Sequence, residues 1–262
     1  YESEVYIDGA FVGRHFGGSS SFGFDVTKWL SDGKIHDLVV RANSDLRGKT
    51  QGAGKQSLRY DSFGCLYTRT TGIWQTVWME PVAKCNHIEA IYPESDIYTS
   101  EIIVKTECAN NDGVVEVEVY DGDVKVGSVA APCGVPAKVY VPNAKLWDTT
   151  NPFLYDLKIT LKKDGKVVES VTSYTAMRKV GKARDEYGHL RATLNDKPIF
   201  MYGPLDQGWW PDGLYTAPTD EALAWDIKFT KELGFNTIRK HIKVEPARWF
   251  YHCDKLGMLV WQ

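Results

Sequence analysis

After Pro198 the chain alternates strand-like and helix-like stretches, and this constrains its fold more than any other feature. Pro198-Ile199-Phe200-Met201-Tyr202 is a short apolar run suited to a buried strand. Thr219 is a candidate N-cap for a helix over Glu221–Leu233, with apolar positions at Leu223, Ile227, Thr230 and Leu233 and Gly234 behind it as a stop. A strand at Asn236–Lys240, a helix over about Glu245–Leu256 closed by Gly257, and a strand at Met258–Trp261 follow. Such alternation implies parallel strands. It predicts the first units of a (β/α)8 barrel, a fold of roughly 250 residues whose catalytic groups sit at the C-terminal ends of its strands. The sequence reaches Gln262 after three such strands, so the remaining barrel strands are expected to lie beyond it.

Upstream, the periodicity is that of β-structure. Glu4-Val5-Tyr6-Ile7-Asp8-Gly9 followed by Ala10-Phe11-Val12-Gly13 reads as a hairpin on an Asp-Gly turn. Ile35–Ala42 reads as a further strand, Arg47–Ser57 as a long Gly- and Ser-rich loop, and Thr76–Met79 as a closing strand stopped by Pro81. Between residues 84 and 182, strand signals recur at Glu101–Lys105, Val114–Tyr120, Lys138–Val141, Leu154–Leu161 and Lys166–Thr172. Asp121-Gly122 and Asp164-Gly165 are among the turns that separate them. Short punctuated strands over about 100 residues predict an immunoglobulin-like sandwich. The expectation is a multidomain chain: residues 1–83 as the C-terminal part of a jelly-roll sandwich, 84–182 as the immunoglobulin-like sandwich and 183–262 as the start of a TIM barrel.

Composition excludes some partners. A net charge of −3 offers no basic stripe for nucleic acid, and no apolar stretch approaches the ~18 residues of a membrane span. Cys65, Cys85, Cys108, Cys133 and Cys253 show no CxxC spacing, so they read as unpaired or buried thiols and no zinc site is expected. His15 and His36 lack companions at metal spacing; with Asp8, Arg14 and Asp25 they read as structural, and no cofactor is expected. The pairs Asp206/Asp212 and Glu221/Asp226 do not make a catalytic dyad, the first lying on one loop and the second on an outer helix.

Four ordered motifs carry a resemblance to a known family. They are Val5-Tyr6-Ile7-Asp8-Gly9 with the tract up to Phe24-Asp25-Val26-Thr27; Thr71-Gly72-Ile73-Trp74-Gln75-Thr76-Val77; Leu146-Trp147-Asp148 with Asn151-Pro152-Phe153-Leu154-Tyr155; and Leu194-Asn195-Asp196-Lys197-Pro198-Ile199. Together they resemble glycoside hydrolase family 2, the group of β-galactosidases, β-glucuronidases and β-mannosidases, over nearly the whole chain. The resemblance implies a piece truncated at both ends. The family's jelly roll begins several strands before Tyr1, and its acid/base glutamate and nucleophile lie beyond Gln262.

The loop after the first expected barrel strand, Gly203–Gly213, belongs on the catalytic face. Trp209 and Trp210 offer flat apolar faces for sugar rings or pack the loop onto its surroundings; Asp206 and Asp212 can accept hydroxyl hydrogen bonds. The resemblance implies that Arg239 supports the active-site carboxylates. It places a histidine three residues after that arginine, whereas His241 follows by two, which weakens a direct sugar contact by His241. These six residues form the expected substrate-binding set, with no catalytic residue among them.

The resemblance implies a retaining β-glycosidase as the parent, β-galactosidase-like by default, acting on a carbohydrate through a covalent glycosyl-enzyme. The fragment itself would be inactive. A non-enzymatic carbohydrate-binding β-sandwich protein is the alternative, but a pure binding module has no reason to begin a barrel. The sequence leaves a homo-oligomer open and gives no address. A periplasmic or secreted parent would suit a polysaccharide-degrading enzyme.

Overall fold

A computed structural model describes residues 1–48 and 50–262. The expected Arg47–Ser57 loop spans Lys49, which lies outside the described residues.

The chain is β-rich. Strands β1 (Glu2–Ile7), β2 (Ala10–Phe16) and β3 (Leu38–Asn43) form an antiparallel sheet in the order β2-β1-β3. Asp8 (φ 49°) and Gly9 (φ 76°) make the β1–β2 turn, both in the left-handed region that a twisted two-residue hairpin demands. Between β2 and β3 lies a single helical turn, α1 (Thr27–Leu30), where Thr27 N donates to Asp25 Oδ1 at 2.9 Å. Of the expected third strand, Ile35–Asp37 stay outside the ladder, which starts at Leu38.

The expected closing strand at Thr76–Met79 is not a strand. No neighbouring strand among the described residues takes up its backbone, and Val77, Trp78 and Met79 remain exposed. Apolar alternation is insufficient where no partner offers ladder hydrogen bonds.

Two antiparallel sheets follow, facing each other across one apolar core. One has the order β10-β9-β6-β7, from β6 (Val114–Asp121), β7 (Val124–Pro132), β9 (Tyr155–Lys163) and β10 (Lys166–Thr175). The other is β4-β5-β8, from β4 (Ile88–Asp96), β5 (Glu101–Cys108) and β8 (Ala137–Tyr140). Period-two alternation sends Val115, Val117 and Val119 of β6 inward beside Tyr155, Leu157, Ile159 and Leu161 of β9, opposite Ile102 and Val104 of β5. Each such side chain contributes about 1.5–3 kcal/mol on burial. Strands β4 and β7, absent from the sequence expectation, complete the two sheets.

Strands β11 (Val180–Arg184), β12 (Leu190–Leu194) and β13 (Lys197–Pro198) form a small antiparallel sheet. Beyond it the pairing turns parallel: β14 (Leu205–Asp206), β15 (Thr237–Lys240) and β16 (Leu259–Trp261) lie in that order, joined by α2 (Asp220–Glu232) and α3 (Ala247–Leu256). Thr219 caps α2 through Oγ1, which accepts from Ala222 N at 3.1 Å, and Asp220 and Glu221 sit in its first turn. Gly257, at φ 76°, ends α3. Leu223, Ile227, Ile238, Trp249, Cys253 and Met258 make the second core.

The expected strand at Pro198–Tyr202 is corrected: parallel pairing starts at Leu205. Asn236 holds the earlier stretch with both backbone and side chain: its N donates to Tyr202 O at 3.0 Å. Its Oδ1 accepts from Tyr202 N at 2.9 Å, and its Nδ2 donates to Phe200 O at 2.9 Å.

The sandwich and the βα part are clasped at Asp254. Trp147, fully buried, donates Nε1 to Asp254 O at 2.7 Å; Arg178 pairs with Oδ1 at 2.6 Å, and Tyr174 donates to Oδ2 at 3.0 Å. Lys231 adds hydrogen bonds from α2 to the carbonyls of Thr149 and Gly257.

Candidate functional site

The site gathers at the C-terminal ends of β14 and β15. Parallel register sets Asp206 beside Lys240 and Leu205 beside Arg239. Alternation along β15 turns Ile238 and Lys240 into the interior and Arg239 to the opposite, exposed face. Arg239 in turn registers with Trp261 of β16. Leu205, Arg239 and Trp261 therefore form a solvent-facing row across three parallel strands, with Leu205 and Trp261 about half exposed.

On the interior face, four charges form a buried network. Lys240 Nζ lies 2.7 Å from Asp206 Oδ2 and 2.5 Å from Glu245 Oε1. Lys243 Nζ lies 3.1 Å from the same Glu245 oxygen and donates to Gly208 O at 2.6 Å. The side chains of Lys240, Lys243 and Glu245 are 1–2% exposed. Burying unpaired charge is costly, and two ammoniums against two carboxylates leave none uncompensated. Burial lowers the Lys243 pKa, while Glu245 acts in the other direction. Gly208 N donates to Asp206 Oδ1 at 2.7 Å, so both oxygens of Asp206 are engaged by the protein.

Gly208 is demanded by this packing. It adopts φ +59°, and a Cβ there would come within 2.2 Å of Glu245 Oε1 and 2.7 Å of Lys240 Nζ.

The loop after β14 is bound to the segment upstream of the sandwich by aromatic contacts. Trp209 stacks on Tyr67 at 4.8 Å and 14°, and meets Tyr215 edge-on at 5.1 Å. Trp74 meets Tyr215 at 4.6 Å, Thr216 Oγ1 donates to Trp74 O at 3.0 Å, and the Lys243 ammonium sits 4.9 Å from the Tyr215 ring and 5.4 Å from that of Trp74. Trp209 thus has one ring face covered by Tyr67. Trp210 packs against the second core and exchanges backbone hydrogen bonds with Leu214; its indole N–H is buried without a partner among the described residues.

His241 is half-buried. Its amide donates to Asp206 O at 2.8 Å, and Gln207 Nε2 donates to its Nδ1 at 3.3 Å. Asp212 stands at the exposed loop tip, accepting from Gly213 N at 2.9 Å. The fold thus groups Asp206, Trp209 and His241, puts Arg239 on the neighbouring open face, and leaves Asp212 at the rim.

A cavity of about 500 Å³ opens beside this group, lined by Asp206, Gln207, Trp209, Asp226 and Phe229 among others. Burial, and secondarily the charge of Asp206, raise the Asp226 pKa. Among the described residues no group of three or more His, Cys, Asp or Glu side chains could hold a metal ion. The open face can present the Arg239 guanidinium and the Trp261 ring to a polar ligand.

Sequence reasoning missed Lys240, Lys243, Glu245 and Trp261. The signal for the first three was a Lys-x-x-Lys-x-Glu run directly after an apolar strand, with a glycine-bearing loop to receive it.

The chain is similar to known proteins along its length. The model of the glycosyl hydrolases family 2 matches residues 86–178. A putative β-glucuronidase from Formosa agariphila is 28% identical over 99% of this chain and 31% of its own length. A β-galactosidase from Lactococcus lactis subsp. lactis is 30% identical over 93% of this chain and 27% of its own. The crystal structure of Parabacteroides merdae β-glucuronidase superposes with a TM-score of 0.76 at 23% identity, covering 100% of this chain and 34% of that one. The chain spans about a third of the length of the curated relatives it matches.

Proposed function

Because this chain belongs to glycoside hydrolase family 2, we propose that it forms the accessory domains and the first wall of the active site of a retaining β-glycosidase. Residues 1–83 are the C-terminal part of its jelly roll, 84–182 its immunoglobulin-like sandwich and 183–262 the opening units of its TIM barrel. The single observation that carries this reading is the parallel β14-β15-β16 order with Arg239 and Trp261 side by side on the open face. In such a barrel the C-terminal strand ends carry the chemistry.

In this reading Arg239 and Trp261 face the sugar, with Trp209 and His241 at the edge of the site and Asp212 at its rim. Trp210 holds the loop down. Asp206 is a positioning residue: with both oxygens engaged it sets Lys240 and the 207–209 turn, and a sugar hydroxyl can reach it only at the expense of one of those bonds. The retaining reaction needs a nucleophile and an acid/base carboxyl about 5–5.5 Å apart. Asp206 and Glu245 both touch Lys240, but Glu245 is sealed from solvent and paired twice, which unsuits it to attack an anomeric carbon. The catalytic pair is therefore assigned to residues of the longer polypeptide outside these 262. The β-galactosidases and β-glucuronidases among the relatives make a β-galactoside or a β-glucuronide the substrates to try first.

A mechanism-based test is direct. A 2-deoxy-2-fluoro β-glycoside should trap one carboxylate of the longer polypeptide as a glycosyl ester and leave the 262-residue chain unlabelled. Labelling of a carboxylate within residues 1–262 would overturn the assignment.

A further inference from the structure

The outer face of the β10-β9-β6-β7 sheet carries a second feature, built on other strands than the strand-end site. Asp156 of β9 registers with Tyr120 of β6 on one side and with Tyr174 of β10 on the other. Paired residues of antiparallel strands project to the same face, so a carboxylate stands between two phenol rings. The next row on that face, Glu118–Lys158–Thr172, follows the same strands. Tyr251 of α3 closes one end, meeting Tyr174 edge-on at 5.0 Å and 68°. The result is a groove of about 450 Å³ lined by Tyr120, Asp156, Lys158, Thr172, Tyr174 and Tyr251. That volume falls in the range of small-ligand sites.

The groove's lining is tied by a hydrogen bond and by ion pairs. Tyr174 is fixed by its hydrogen bond to Asp254 at 3.0 Å, and Asp254 by Arg178 at 2.6 Å. Lys158 is drawn to Glu118 at 3.3 Å, and Lys125 binds the same carboxylate at 3.0 Å. Asp156 takes no part in these pairs and is exposed.

We infer that this groove is an auxiliary binding site for a neutral pyranoside, separate from the strand-end site. Phenol rings supply flat apolar faces for the C–H face of a sugar, and a carboxylate outside these ion pairs accepts two hydroxyl hydrogens at once, a charge-assisted pattern. The Asp156 charge fits hydroxyl donors and opposes a second carboxylate, so a neutral glycoside is favoured over a uronide. The choice of sugar as the ligand class rests on the glycosidase reading; the location rests on the groove itself.

The test is a titration of the 15N-labelled chain with methyl β-D-galactopyranoside, followed by amide shifts. Saturable shifts are expected at Tyr120, Asp156 and Tyr174, with affinity weakened about tenfold in Asp156→Ala and unchanged in Tyr140→Ala, an exposed tyrosine outside the groove. Methyl β-D-glucopyranosiduronate should bind more weakly than the galactoside. The spectrum itself shows whether each variant keeps the sandwich folded. Absence of saturable shifts at these amides, or equal affinity in Asp156→Ala, overturns the inference. Shifts confined to Arg239, Trp261 and the 207–216 loop would also overturn it while supporting the strand-end site.

Discussion

Lys240 and Glu245 meet at 2.5 Å with side chains 1% and 2% exposed, and Lys243 shares the same carboxylate. The pair ties the end of β15 to the entry of α3, and through Asp206 to the end of β14. Removing Glu245 would leave the buried Lys243 ammonium with no carboxylate and Lys240 with Asp206 alone. Glu245→Ala should therefore destabilise the βα part by about 3–5 kcal/mol, seen as a lower urea midpoint. A loss under about 1 kcal/mol would show that water reaches the cluster.

Gly208 and Gly165 separate two kinds of glycine requirement. Both have positive φ, but nothing lies within 4 Å of a Cβ at Gly165, while one at Gly208 meets Glu245 Oε1 at 2.2 Å. Gly165→Ala should cost about 1–2 kcal/mol for left-handed backbone alone. Gly208→Ala should cost at least about 3 kcal/mol, since overpacking adds to the strain. Equal losses in chemical denaturation would contradict the placement of the network.

His36 makes the β2-β1-β3 sheet sensitive to pH. Its ring nitrogens lie 2.7 Å from Asp8 Oδ2 and 2.8 Å from Asp32 Oδ1, which requires the doubly protonated ring. The Asp8 hydrogen bond, then that of Asp32, raises its pKa. A raised folded-state value gives stabilisation that is complete below the unfolded value of about 6.5 and is lost as pH climbs through the folded value. NMR titration should place His36 above about 6.5, and Asp8→Asn should bring it down. Titration at or below that value would refute the bridge.

Asp254 gathers Trp147, Tyr174 and Arg178 from the sandwich onto α3. Asp254→Ala removes the carboxylate and leaves the backbone acceptor of Trp147 in place. It should cost about 1.5–3 kcal/mol through the lost charge-assisted contacts and separate the unfolding of the βα part from that of the sandwich. A single unchanged transition by both tryptophan fluorescence and far-ultraviolet dichroism would show that the clasp does not couple them.

Periodicity revealed the hairpin at Asp8-Gly9, the strands β5, β6 and β9, and both long helices with Thr219 before the first and Gly257 after the second, because each rests on local chemistry. What escaped depended on tertiary partners. Thr76–Met79 has strand-like composition but no neighbouring strand among the described residues, and Phe200–Tyr202 is held by the backbone and side chain of Asn236 without a regular ladder. The convergence of the loop after β14 with the end of β15 was legible in outline. The site's buried half was not: lysines read as surface residues until a fold supplies Asp206, Glu245 and the carbonyl of Gly208 around them. Trp209 read equally as a sugar platform or as packing, because nothing local announces that Tyr67 will stack on it.

The most direct measurement is hydrolysis of 4-nitrophenyl β-galactoside and β-glucuronide by the 262-residue chain, by the longer polypeptide proposed to contain it, and by that polypeptide carrying Arg239→Ala. If the chain is the first wall of a glycosidase site, it shows no turnover alone, and the longer protein turns over at least one of the two substrates. Arg239→Ala then lowers kcat/KM by about a hundredfold or more, as befits a lost charged contact to the reacting region. Turnover by the isolated chain that a substitution within it abolishes, or full activity in Arg239→Ala, would contradict that placement.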